Sequence, residues 1–321
     1  MRVIHVGLMK TATSLLQWYV FPELAKNLGI SYNDIQREQI KRAIVDKTTI
    51  INNLSKYRKQ GLISWETLSA HDPEFWEHSI KIVKHIYGFD TTILLTLRDP
   101  HSHLRSIYQQ TIQQGNICKP AEFFLNEKDY NKIRSNICTF NYFNLSKYKI
   151  ESLINLYTNN FKNVFVIPFE YINQLSFLKK IYNMDLNTIN KYKKIVKSAP
   201  RANKSYSNFA VRLTMKRESL LNFMGLMSRR ASRSEFLDST ILYKLLDKEN
   251  NNSKSIGKKI KMRLKDIVQW RNSMHAIVDK IIPYKPYLLP NEILDNQSEN
   301  QHYYEYLVKQ SKEKGYLEFE K

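Results

Sequence analysis

Lys10, Thr11, Thr13 and Ser14 stand within five positions of one another, between an apolar run and the start of an amphipathic one. Further along, Arg98 and Ser106 follow a second apolar run, eight positions apart. An ammonium, a forked guanidinium and a set of hydroxyls are the donors that hold phosphate-like anions. A helix N-terminus adds unpaired backbone N–H groups and positive partial charge. The chemistry these residue types imply is anion binding, and the elements around them must deliver the donors to one place.

Arg2-Val3-Ile4-His5-Val6-Gly7-Leu8 reads as a buried strand, and a helix is expected over residues 13–28, running towards Gly29. The loop between them departs from the nucleotide-binding pattern G-x-x-x-x-G-K-[ST]. Only Gly7 is present, and Lys10 follows it by three residues rather than six, so an ordinary ATP or GTP loop fits poorly. Residues 91–97, Thr-Thr-Ile-Leu-Leu-Thr-Leu, form a short apolar run of the kind buried in a parallel sheet. Pro100 halts that strand. A helix then carries Leu104, Ile107 and Tyr108 on one face. The carboxyl ends of parallel strands are where open α/β sheets bind ligands.

Lys10-Thr11-Ala12-Thr13-Ser14 resembles a K-[ST]-[GA]-T-[TS] loop, and Arg98-Asp99-Pro100 through Ser106-Ile107-Tyr108 resembles R-[DN]-P-x5-S-x-Y. Both are signatures of the sulfotransferases that use 3′-phosphoadenosine 5′-phosphosulfate (PAPS), and the likeness to bacterial members covers roughly residues 1–205. The resemblance implies an α/β fold with a P-loop-like central parallel sheet flanked by helices. It implies that Lys10, Thr11, Ala12, Thr13 and Ser14 hold the 5′-phosphosulfate, and that Arg98 and Ser106 hold the 3′-phosphate. Arg201-Ala202-Asn203-Lys204-Ser205 resembles an R-x-N-x-S stretch that closes over the nucleotide. Ala12 stands where glycine is commoner, and Leu15 where cytosolic animal members carry tryptophan near the adenine.

Sulfuryl transfer is an in-line displacement in which charge builds on the bridging oxygen of the leaving group. Positioning and electrostatics supply most of its rate. Lys10 is the natural partner of that oxygen. The acceptor hydroxyl needs a base; Glu66, in a Ser64-Trp65-Glu66 stretch resembling the bacterial S-x-E, is the first choice, with His71 and Glu38 as alternatives. The implied acceptor is a carbohydrate, a glycolipid or another small natural product, and no metal is required. A P-loop-type kinase using ATP and Mg2+, with Asp99 as the metal aspartate, is the main alternative, and a non-catalytic nucleic-acid binder ranks third. His101 and His103 have no carboxylate-rich cluster beside them to form a metal site.

The chain has 321 residues with 50 basic and 30 acidic side chains, a net charge of +20. Residues 1–160 carry 20 basic and 14 acidic residues and residues 161–321 carry 30 and 16, so the excess is +6 in the first half and +14 in the second. Such a field suits an anionic nucleotide, an acidic glycan, nucleic acid or a peripheral contact with an anionic membrane, although frequent Lys, Asn and Ile also fit an AT-biased proteome. Two cysteines, Cys118 and Cys138, without metal-ligand spacing read as a reduced, cytoplasmic protein. No secretory signal is evident, and no run approaches the roughly 18 apolar residues of a membrane span. Residues 1–205 are expected to form the α/β core. Residues 206–321 are expected to be a helical, basic region packed on it, with a polar break at Asn250-Asn251-Asn252-Ser253-Lys254. Within the core, residues 34–60 read as polar helix, Gly61–Ser64 as a strand and residues 146–160 as helix. Residues 164–170 read as a further strand, and residues 115–145 as a loop-rich, aromatic lid.

Overall fold

The computed structural model describes residues 2–8, 10–11, 13–35, 40, 44, 61–114, 116–133, 142–199, 206–223 and 282–320. Ala12, Glu38, Cys138, Arg201 and the Asn250–Lys254 break lie outside these residues.

Six strands form the central sheet in the order β2-β3-β1-β4-β7-β8: β1 (Arg2–Gly7), β2 (Ser31–Tyr32), β3 (Gly61–Ser64), β4 (Thr92–Leu97), β7 (Asn163–Pro168) and β8 (Leu317–Glu320). All neighbours are parallel except β8, which runs antiparallel to β7 with Val164 opposite Phe319. The strands are short apolar runs because helices cover both faces. Side chains alternate across the sheet. Ile4, Val6, Ile93, Leu95, Val164 and Val166 enter one apolar cluster. Val3, Leu62, Leu94, Phe165 and Ile167 enter the other. The molecule is thus α/β with a mostly parallel sheet between helical layers.

The helical segment after β1, α1, runs through Thr13–Leu15 as α-helix, Leu16–Val20 as a π-turn and Phe21–Leu28 as α-helix. Pro22 cannot donate a backbone hydrogen bond within this segment, and the wider π-turn immediately before it absorbs the irregularity. Leu16, Val20, Phe21 and Leu24 bury one face in the second cluster. Gly29, at φ 62°, ends the helix as a left-handed cap, donating to the Lys26 carbonyl while Ile30 N donates to Ala25. Across the sheet, α2 (Trp76–Tyr87) and α3 (Pro100–Gln114) pack on the first cluster through Trp76, Ile80, Leu104 and Tyr108. Asp99 caps α3: its Oδ1 accepts from Ser102 N at 2.7 Å, and Pro100 fills the first turn.

Two sequence expectations need revision. The 115–145 region is more ordered than a loop-rich lid among its described residues. Phe124–Leu125 (β5) pairs with Phe143–Asn144 (β6), and Glu127–Ile133 is helical. Its aromatic residues are core, with Phe123 and Phe124 stacked edge to face at 4.8 Å and Phe143 against Tyr148 at 5.5 Å. This unit is tied to the segment before α2. Asp72 accepts from Tyr130 Oη and from Asn144 N, while Glu74 accepts from Asn144 Nδ2 and Lys147 Nζ. The C-terminal region is not wholly helical either. Ser298–Ser311 is a helix that buries Tyr304 and Leu307, but Leu317–Glu320 completes the sheet as its antiparallel edge. Alternating Glu318 and Glu320 meet Lys180 at 3.1 and 3.8 Å, which gives that short, exposed edge a charged surface.

Candidate functional site

β1 and β4 lie side by side, yet their helices leave in opposite directions. α1 packs with the cluster containing Val3 and Leu94, and α3 with the cluster containing Ile4 and Leu95. After β1 the chain fills the β3-β2 side of the sheet, and after β4 it fills the β7 side. This is a topological switch point, the place at the carboxyl ends of the strands where open α/β sheets bind ligands. The Lys10 loop follows β1 and Arg98 follows β4 at that edge.

The two segments touch. Arg98 Nη1 donates to the Lys10 carbonyl at 3.0 Å and to Ser106 Oγ at 3.1 Å. One guanidinium therefore links the motif after β1 to the motif after β4, although 88 residues separate Arg98 from Lys10. The Arg98 guanidinium lies 4.9 Å above the Phe169 ring, a cation–π contact. Burial lowers its affinity for its proton, with the Arg105 charge acting in the same direction, against the pull of Asp99, Tyr304 and Glu170.

Lys10 adopts φ 65°, the left-handed region that disfavours a residue with a Cβ. Its ammonium is held below its ordinary pKa chiefly by burial. Glu66 opposes that shift, and the Arg98 charge adds to it. Two partly desolvated cations near one another leave an excess of positive charge that an anion would offset. The charged neighbours that perturb Lys10 are thus Glu66 and Arg98, two of the residues that the sequence singled out.

Glu66 begins a 3₁₀ turn (Glu66–Ser69) just beyond β3, and its Oε2 accepts from Thr13 Oγ1 at 2.9 Å. The third strand end thereby reaches the first turn of α1. His71 follows a kink at Ala70, whose φ is 57°. Two hydroxyls of the loop have partners within the protein. Thr11 is fully buried and its Oγ1 donates to the Leu8 carbonyl at 2.6 Å; Thr13 donates to Glu66. In this conformation those two side chains brace the loop. Ser14 occupies the first turn of α1. Asp99 caps α3, and His103 Nδ1 bonds Tyr148 Oη at 2.7 Å in the core, so both have structural partners there.

Several residues of the site carried no distinct sequence signal. His5 Nδ1 lies 2.6 Å from Ser64 Oγ and its Nε2 3.4 Å from Thr96 Oγ1; Thr96 Oγ1 lies 2.9 Å from Thr11 Oγ1. His5, Ser64 and Thr96 sit on the adjoining strands β1, β3 and β4, and Thr11 lies in the loop that follows β1. Gly7 is required there, because a Cβ would lie 2.2 Å from Thr96 Oγ1 and 2.7 Å from Thr11 Oγ1. Tyr304, from the C-terminal helix, donates to Glu170 and accepts from Phe169 N, behind Arg98. The one hint was polarity inside apolar strands, at His5 and Thr96.

Comparison of the chain with protein-family models, with curated proteins and with solved structures finds no match. Among the described residues no helix is long and apolar enough to cross a membrane, and no group of His, Cys, Asp and Glu could hold a metal ion.

Proposed function

We propose that the chain is a cytoplasmic PAPS-dependent sulfotransferase with a P-loop-like core, acting on a hydroxyl of a carbohydrate, glycolipid or small natural product. The observation that carries this reading is the Arg98 guanidinium, bonded to both the Lys10 carbonyl and Ser106. It joins the motifs suited to the two phosphate ends of one nucleotide at one edge of the sheet. Lys10 would neutralise the bridging oxygen as its bond to sulfur breaks. Glu66 would take the proton of the acceptor hydroxyl as that oxygen bonds to sulfur, leaving 3′-phosphoadenosine 5′-phosphate as the leaving group. Arg98 and Ser106 would hold the 3′-phosphate, and with it the register of the reacting end.

The kinase alternative would assign Asp99 to a metal. Burial works to raise the Asp99 pKa, but hydrogen bonds from the Ser102 backbone and side chain and from Gln301 outweigh it and hold the carboxyl below its ordinary value. That carboxylate is thus already employed as a helix cap. Thermal unfolding with 3′-phosphoadenosine 5′-phosphate or ATP–Mg2+ separates the readings, because a ligand at a hundred times its Kd stabilises by about 2.7 kcal/mol. The expected result is stabilisation by the 3′-phosphorylated nucleotide, reduced in Lys10→Ala. Stabilisation by ATP–Mg2+ alone would refute it.

A further inference from the structure

The protons beneath the Lys10 loop have a determinate order. A carbonyl only accepts, so Thr11 Oγ1, 2.6 Å from the Leu8 oxygen, gives its one proton there. The 2.9 Å contact between Thr11 and Thr96 must then carry the Thr96 proton. With that proton committed, Thr96 Oγ1 is an acceptor towards His5 Nε2 at 3.4 Å, and Nε2 bears hydrogen. Burial depresses His5 to about 3, so the ring is neutral near pH 7 and has only one N–H. Its Nδ1 lone pair is left for the Ser64 hydroxyl, 2.6 Å away. The order runs from Ser64 through His5, Thr96 and Thr11 to the Leu8 carbonyl. His5, Thr11 and Thr96 are fully buried and Ser64 is 1 % exposed, so water does not compete.

The far end of this chain fixes the backbone two residues before Lys10, and Arg98 fixes the Lys10 carbonyl itself. Between these anchors Lys10 holds φ 65°. A strained backbone persists only where its surroundings over-determine it. We propose that His5, as its neutral Nε2–H tautomer, is a positioning residue that orients Thr96 and Thr11 and so sets the left-handed turn at Lys10 before any ligand arrives. Which nucleotide then meets the loop rests on the sulfotransferase reading; the ordering of the loop does not.

Two substitutions distinguish positioning from mere satisfaction of a buried ring. Asn at position 5 carries its amide at the depth of Nδ1, where it serves Ser64 but not Thr96. Gln carries its amide at the depth of Nε2, where it serves Thr96 but not Ser64. Each leaves one buried partner unserved, so a purely structural role predicts equal behaviour. The test is amide hydrogen exchange of residues 8–14 in wild type, His5→Gln and His5→Asn. It is joined by 15N NMR of the wild-type His5 ring and titration of each protein with 3′-phosphoadenosine 5′-phosphate. His5→Asn should exchange these amides about tenfold faster and bind about tenfold more weakly, the shift expected from one lost buried hydrogen bond, with His5→Gln close to wild type. The NMR should show the Nε2–H tautomer, without titration between about pH 5 and 8. Equal exchange in the two variants, or an Nδ1–H ring in wild type, would overturn the proposal. If His5→Asn does not fold, the tautomer decides. If wild type ignores the nucleotide, the sulfotransferase reading fails while exchange and tautomer still judge His5.

Discussion

Replacing Gly7 by alanine should damage the loop from below. The new Cβ would lie 2.2 Å from Thr96 Oγ1, 2.7 Å from Thr11 Oγ1 and 2.8 Å from Thr13 Cγ2, whereas real Cβ contacts do not fall under 3.0 Å. By difference from 3.0 Å, Thr96 Oγ1 must retreat by at least 0.8 Å, Thr11 by 0.3 Å and Thr13 by 0.2 Å. The Thr96 displacement is the large one, and it falls on the atom that joins Thr11 to His5. Overpacking of this size costs about 1–3 kcal/mol. Loss of the buried hydroxyl contact adds about 1–3 kcal/mol, so Gly7→Ala should destabilise by roughly 2–6 kcal/mol. In a Thr96→Ala background the worst clash is gone, and the same substitution should cost less than about 1.5 kcal/mol. Urea unfolding of wild type, both single variants and the double variant gives the coupling energy. A coupling of at least about 1 kcal/mol is expected, since contacting residues are non-additive. Additivity within about 0.5 kcal/mol would refute the claim that Gly7 is kept for the approach of Thr96.

The ties between Asp72 and the β5–β6 unit should be sensitive to pH. Burial raises the Asp72 carboxyl from 3.8 to about 6, against hydrogen bonds from Tyr130, Glu74 N and Asn144 N. The folded state thus binds the proton more tightly than the unfolded chain, and this contribution to stability is full below about pH 4 and lost as pH rises through about 6. At about 1.4 kcal/mol per unit, the gap between wild type and Asp72→Asn should change by roughly 2–2.5 kcal/mol between pH 4 and 7.5, with wild type losing ground as pH rises. A flat difference over that window in urea unfolding would contradict it. Tyr304→Phe should cost about 1–2 kcal/mol of stability through the lost bond to Glu170, while nucleotide affinity measured by calorimetry changes less than about threefold. A larger loss of affinity would place Tyr304 in the grip itself rather than behind it.

The sheet was legible because its strands obey a local rule. Val3, Ile4, Val6 and Ile93 to Leu95 form apolar runs bounded by Gly7 and Pro100, and their pairing follows from burial on both faces. Lys10, Arg98 and Ser106 were legible through spacing, and Asp99 and Pro100 occupy the positions that a helix start demands. The protein partners of Thr11 and Thr13 were harder to see, because a hydroxyl suited to phosphate is equally suited to a carbonyl or a carboxylate. Which partner prevails depends on Leu8 and Glu66 lying within reach in three dimensions. The aromatic 115–145 region misled for a similar reason, since Phe123, Phe124 and Phe143 pack on one another across a strand pair too short to show a period. Strand β8 pairs with a partner about 150 residues away, by the register of Val164 with Phe319, and nothing local in Leu-Glu-Phe-Glu specifies that edge.

If one nucleotide is held at both ends, removing the phosphate from one end should show it. Calorimetric affinities of 3′-phosphoadenosine 5′-phosphate and of adenosine 5′-monophosphate, which lacks the 3′-phosphate, are measured in wild type, Arg98→Ala and Lys10→Ala. Charge-assisted bonds from a guanidinium and a hydroxyl make the 3′-phosphate worth about 2–3 kcal/mol, a preference of roughly 30- to 150-fold in wild type. That preference should fall to near unity in Arg98→Ala and survive in Lys10→Ala, where both ligands weaken together. Equal affinity of wild type for the two nucleotides, or a preference untouched by Arg98→Ala, would contradict the account.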